Sequence, residues 1–160
     1  MKKLKAILLG FALCMAAPLV AEDFDWSQFW CNYGAGIEKG DMLLSADVGI
    51  GYFGFYPTVC VDFEIAQPIW KLPFTFGGYA SVRPFGGFGL SVGGSAAYHV
   101  MLPPKNLDVY LGLKIGIDIL PSIWFTPGFN IGASWFFTDK IGVNVELGYP
   151  YNKAGVIFKF

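Results

Sequence analysis

One histidine, His99, stands in a 160-residue chain with 11 basic and 12 acidic side chains and three cysteines. Acyl transfer or lipid hydrolysis at a membrane needs such a histidine beside a serine or an acidic partner, facing lipid or outer solvent. His99 falls on an inward face near one end of its segment, where it reads as a core histidine bonded to a neighbouring polar group. One His with Cys31 and Cys60 at unrelated positions matches no metal-ligand spacing. The glycines make no phosphate loop: Gly49-Ile50-Gly51 and Gly86-Gly87-Phe88-Gly89 fall in strands or a hairpin, where Gly relieves crowding or marks bends. No enzyme, catalytic residue, cofactor or metal is therefore expected. What remains is a thin scatter of polar groups, Asp47, Asp62, Glu64, Arg83, Asp108, Lys114, Asp118, Glu146 and Lys159, with His99 and Tyr79. Their chemistry depends on the elements that hold them.

Those elements alternate with a period of two from residue 42 almost to the last residue. Leu107, Val109, Leu111, Leu113, Ile115, Ile117 and Ile119 alternate with Asp108, Tyr110, Gly112, Lys114, Gly116 and Asp118. A helix would scatter those charges around its circumference, whereas a strand collects them on one face. The same test predicts strands over 42–52, 58–66, 72–83, 88–100, 107–119, 123–137, 141–149 and 154–160. Pro, Gly, Asn and Asp mark the short connections 53–57, 67–71, 84–87, 103–106, 120–122, 138–140 and 150–153. Tight turns between consecutive strands mean an antiparallel up-and-down meander.

Composition decides what the two faces meet. The chain is 54% hydrophobic and 14% charged with a formal net charge of −1, against roughly 25% charged for an ordinary soluble domain. Disorder and nucleic-acid binding are both excluded on that balance. Only the N-terminus approaches a long apolar run. Lys2, Lys3 and Lys5 precede the apolar stretch 6–17 and the small-residue site Pro18-Leu19-Val20-Ala21, which reads as a cleaved signal peptide over 1–21. An uncleaved anchor is the alternative, because Leu19 is an imperfect residue three before the cut. Cys14 follows Leu13 where a lipoprotein signal needs a small residue. Three of the 11 basic residues leave with this segment, so eight face 12 acidic ones in the mature chain, a formal −4. Cys31 and Cys60 would meet an oxidising compartment, where they either pair or stay free; two cysteines do not make a disulfide scaffold.

In a soluble lipid-carrying barrel the outer face would consist mainly of Gly, Ser and Thr with one or two charges per strand, a poor surface for solubility. In a membrane barrel the apolar face meets acyl chains and the small polar residues fit a cramped lumen. The expected fold is all-β, an antiparallel up-and-down eight-stranded transmembrane β-barrel over 42–160. Aromatics gather at the strand ends in two girdles. Tyr52, Phe53, Phe55, Tyr56, Phe85, Trp124, Phe125, Tyr149 and Tyr151 mark one rim; Trp70, Tyr98, Trp135, Phe137, Phe158 and Phe160 mark the other. Residues 22–41 stand apart. Phe29, Cys31, Tyr33, Ala35 and Ile37 alternate with Trp30, Asn32, Gly34 and Gly36, so a ninth strand is conceivable, but even strand numbers favour a periplasmic or lumen-associated segment.

The segments Lys39-Gly40-Asp41-Met42-Leu43-Leu44, Asp47-Val48-Gly49-Ile50-Gly51-Tyr52, Ala97-Tyr98-His99, Asp108-Val109-Tyr110-Leu111-Gly112-Leu113-Lys114 and the run from Trp135 to Tyr149 resemble the small single-domain outer-membrane β-barrel proteins of diderm bacteria. The resemblance covers residues 39–160 and consists of strand patterns, which specify fold and membrane and leave activity open. It implies outer-membrane lipid as surroundings, and periplasmic chaperones and the barrel-assembly machinery as biogenesis partners. Val156, Phe158 and Phe160 on one face of the last strand resemble the assembly signal of such barrels. Both termini would lie in the periplasm, with 67–71, 101–106 and 138–140. The other connections, facing outside, are too short for the loops that usually recognise ligands or hosts.

Isolated charges cannot be buried in a narrow lumen, so the lumen set is expected to pair around Arg83, Lys114 and Lys159 or to keep water. Two roles follow: a closed-lumen structural or surface-interaction barrel, or a narrow pore or transport barrel for small or hydrophobic solutes, supported by the acidic excess.

Overall fold

The structure, a computed structural model, describes residues 25–51, 57–120 and 122–160. Eight strands follow one another: β1 (Met42–Gly51), β2 (Pro57–Ala66), β3 (Phe74–Arg83), β4 (Gly89–Met101), β5 (Leu107–Leu120), β6 (Trp124–Phe136), β7 (Ile141–Tyr149) and β8 (Tyr151–Lys159). Each pairs antiparallel with the next, and β1 pairs antiparallel with β8, so the sheet closes on itself. The expected signal peptide over 1–21 and the rim aromatics Tyr52, Phe53, Phe55 and Tyr56 lie outside the described residues.

Alternation places the faces as the period of two requires. Leu113 is 65% exposed and the adjacent Lys114 only 6%. Along β5 the outward residues are aliphatic, and the inward ones are Asp108, Tyr110, Gly112, Lys114 and Gly116. The same inversion holds on β2, where Val59, Val61, Phe63 and Ile65 are exposed while Thr58, Cys60 and Asp62 are buried. Apolar area on this scale is stable only against a medium as apolar as itself, and a soluble carrier, with its apolar face turned in, is ruled out. Trp70, Trp124 and Trp135 are exposed near the strand ends, and Tyr149 is half-buried at the end of β7.

Two boundaries differ from the sequence reading by more than one residue. β3 begins at Phe74, because Leu72 bridges back to Ile69 in the preceding turn. β8 begins at Tyr151, so the β7–β8 turn shrinks to Pro150, and Asn152 and Lys153 enter the sheet. Lys153 then stands opposite Glu146 on β7 and Gly49 on β1, facing in. Tyr151, read as a rim aromatic, turns its hydroxyl inward to Ser81 and Ser91.

Inside, large rings pack against glycines of other strands. A Cβ on Gly132 would overlap the Tyr110 ring, and one on Gly116 would overlap the Tyr79 hydroxyl. Glycine here makes room for a ring across a space one side chain deep.

Two substitutions test faces and fit. Leu113→Arg puts a charge on the exposed face at mid-strand, where it is expected to cost about 2–4 kcal/mol in a bilayer. Gly132→Val is expected to cost about 1–3 kcal/mol by overpacking against Tyr110. Urea unfolding of protein folded into lipid vesicles measures both. A Leu113→Arg barrel as stable as the parent would mean that this face does not meet lipid.

Candidate functional site

The lumen is built in layers from the end that carries β1's first residue and β8's last. Residues 25–41 enter there. A short 3-10 turn, Trp26–Gln28, is capped by Asp25, which accepts from the Ser27 amide at 3.0 Å; hydrogen bonding from the Ser27 side chain, then from its amide, holds the exposed Asp25 carboxyl below its ordinary pKa. Ala35 and Gly36 both adopt positive φ, 53° and 61°, and turn the chain inward. Ile37 then packs with Leu43, Ala66, Phe136 and Ile157, the ends of four different strands, into a small apolar stopper. Tyr33 donates to the Phe74 carbonyl at 2.5 Å, and burial pushes its hydroxyl pKa up to about 12. Lys159 donates to the carbonyls of Ala35 at 3.3 Å and Gly36 at 2.8 Å.

Beneath the stopper, His99 is 1% exposed. Its Nδ1 lies 2.9 Å from Asp108 Oδ1 and its Nε2 lies 3.0 Å from Thr75 Oγ1. Hydroxyl, imidazole and carboxylate in that order have the connectivity of a nucleophilic triad. The protons run the wrong way for one. With Glu64 ionised, Thr75 gives it its single proton at 2.6 Å, and Nε2 then donates into the Thr75 oxygen while Nδ1 donates to Asp108. An imidazole donating from both nitrogens has no lone pair to take a proton, and Thr75 is fully buried.

The middle layer is an ion cluster. Lys114 reaches Asp62 at 3.1 Å and Glu146 at 2.6 Å. Lys153 reaches Asp47 at 2.9 Å, a second oxygen of Asp62, and Glu146 at 3.7 Å. Ser45 donates to Asp47 at 2.8 Å, and Tyr110 to Glu146 at 3.2 Å. Side chains from β1, β2, β5, β7 and β8 thus meet across the barrel. Beside them is a cavity of about 30 Å³ lined in part by Asp62, His99, Ser134 and Asn144, which is room for one or two waters. Toward the opposite rim, Ser81 donates to the Tyr151 hydroxyl at 3.0 Å, Tyr151 lies 2.9 Å from Ser91, and Ser91 donates to Asp118.

Of the charges read as a lumen set, Asp47, Asp62, Lys114 and Glu146 come together, with Glu64 and His99 one layer away. Arg83 and Lys159 lie outside this cluster. Arg83 remains at the β3–β4 turn, where Nε donates to the Gly87 carbonyl at 3.1 Å, and Lys159 is at the stopper. The centre that the sequence reading missed is Lys153, assigned to a turn because Asn-Lys follows Pro150. Carrying the alternation back from Phe158 through Val156 and Ala154 to Asn152 would have placed Lys153 inward. Cys31 is exposed and Cys60 buried in the lumen, so the two do not pair. Among the described residues, no group of three or more His, Cys, Asp or Glu side chains is placed to hold a metal.

The sequence matches no family model. No curated protein matches it either. Among solved structures it is similar to a de novo designed transmembrane β-barrel, with a TM-score of 0.60 and 18% identity over 78% of this chain and 98% of the designed one. At that identity the likeness speaks for the fold alone, and it agrees with the closed eight-stranded order.

Removing one partner from a buried ion cluster leaves the other charges uncompensated, typically at about 3–5 kcal/mol. Lys153→Met is expected to lower stability by that amount, more than Lys159→Met at the half-exposed stopper. Adding Asp62→Asn to Lys153→Met is expected to restore part of the loss. Urea titrations of the four proteins, with the double-mutant comparison, check the order.

Proposed function

We propose that this chain is an integral β-barrel of the bacterial outer membrane whose lumen is closed, and that its role is structural or lies in surface interactions rather than in passing solutes. The observation that carries this reading is the ion cluster. Five strands contribute to it, and the free space beside it is about 30 Å³. A hydrated ion needs a continuous wet path, and eight strands enclose a width that side chains fill. The stopper around Ile37 adds a second obstruction at one mouth.

The apolar outer face makes lipid the direct partner. On this reading residues 1–21 direct export and are removed. Periplasmic chaperones deliver the chain to the barrel-assembly machinery, which reads Val156, Phe158 and Phe160, all on the outer face of β8 or just after it. The termini then face the periplasm. The role needs no cofactor and makes or breaks no bond, since the one triad-like arrangement lacks both a free imidazole lone pair and access. The narrow-pore alternative is weakened by the pairing of the same acidic residues that suggested it.

Planar-bilayer conductance of the refolded protein, with insertion verified by resistance to extraction, tests the proposal. Silence is expected. Discrete, salt-dependent current steps would overturn it and establish a pore.

A further inference from the structure

Among the described residues, the sealed part of the lumen holds more acidic side chains than basic ones. Asp47, Asp62, Glu64, Asp108 and Glu146 face Lys114, Lys153 and the doubly donating His99. Lys159 spends its ammonium on backbone carbonyls at the stopper, and Arg83 and Asp118 belong to the opposite rim. Uncompensated carboxylates inside a barrel walled by hydrocarbon are costly, so a proton or a cation has to offset them.

A second observation points to a cation. Asp108, Ser134 and Asn144 stand in one row, opposite each other across β5, β6 and β7 and all facing in. Ser134 Oγ and Asn144 Oδ1 have no hydrogen-bond partner, although the two residues are 0% and 2% exposed. Both residues line the cavity of about 30 Å³, together with Asp62, Glu64, Asp108 and Glu146 and the two basic side chains His99 and Lys153. Two unpartnered oxygens lining a small space among carboxylates are the hard donors an alkali cation takes, while the basic groups in the same wall, Lys153 and His99, are each already held by carboxylates. With no tight group of three acidic or imidazole ligands there, the chemistry does not suit a divalent or transition metal.

We propose that this cavity is a binding site for one small alkali cation of sodium size, held by Ser134 Oγ, Asn144 Oδ1 and neighbouring carboxylate oxygens. The ion neutralises part of the acidic excess and ties β5, β6 and β7 together inside the barrel. The site is independent of whether the lumen conducts, since it concerns a bound ion rather than a moving one.

The test is the urea midpoint of the full protein folded in detergent micelles, at neutral pH and constant ionic strength, as choline chloride is replaced stepwise by sodium chloride. Choline is too large for the cavity, so screening stays fixed while the candidate ligand varies. The midpoint is expected to climb with the logarithm of sodium concentration once the site begins to fill. Asn144→Leu and Ser134→Ala are expected to fold and to lose that slope, and the sodium NMR line broadening of the parent protein should disappear in both. Should Asn144→Leu fail to fold, Ser134→Ala, which removes one oxygen and little volume, decides the matter. Equal midpoints in sodium and choline would overturn the proposal and assign the compensation to protons and water, as would a sodium slope unchanged in Ser134→Ala.

Discussion

Hydrocarbon offers no hydrogen bond to a peptide group, so a strand that crosses a bilayer needs a paired neighbour on each edge. Eight strands in sequence order meet that demand only by joining the last to the first. At the join, Met42 and Phe160 exchange backbone hydrogen bonds of 3.1 and 3.0 Å, and β1 continues against β8 as far as Gly51 opposite Tyr151. Closure with so few strands leaves an interior one or two side chains across. Every inward position must then fit its neighbours opposite as well as beside it, and Tyr110 over Gly132 and Tyr79 over Gly116 follow from that width.

The outer face and the strand order were legible in the sequence because alternation is a one-dimensional property. Leu113 and Lys114 cannot share a face in an extended chain, and seven short turns leave one antiparallel order. What was not legible depends on distances through the lumen. Lys114 and Asp62 are 52 positions apart and Lys153 and Asp47 are 106 apart, and no local pattern pairs them. Turn chemistry also misled. Pro150-Tyr151-Asn152-Lys153 has turn composition, yet the sheet takes all but the proline, because Lys153 gains three carboxylates by entering the lumen. The inward fold of residues 33–37 rests on left-handed Ala35 and Gly36, and alanine at positive φ carries no sequence signature.

Charges in the lumen raise the question of why apolar residues do not fill it instead, since buried ion pairs are rarely worth more than well-packed hydrocarbon. The difference between the two faces answers it. A one-residue slip of a strand exchanges its faces, and a strand apolar on both would lose little by slipping. In β5 the same slip would drive Asp108, Lys114 and Asp118 into lipid and bring a file of leucines and isoleucines into a space sized for glycine. The cluster therefore specifies register more than it adds stability, and its acidic excess is tolerable only if something small compensates it.

The stopper extends that logic to the end of the barrel. Ile37 touches residues from β1, β2, β6 and β8, while the backbone amide of Met101 on β4 donates to Phe29 at 3.1 Å and Tyr98 reaches the Trp30 carbonyl at 2.6 Å. With the Tyr33 bond to Phe74 on β3, residues 25–41 thus tie six of the eight strands at one mouth. Trp26, Trp30 and Trp70 are exposed at the same end, and indole rings favour the headgroup level, so the segment that seals the lumen also sets how deep the barrel sits. On the surface role proposed for the barrel, contact with other molecules would fall to the opposite rim, where Phe85, Ile123 and Trp124 are exposed. The turns there are short, so a partner would meet a rim of strand ends rather than a loop.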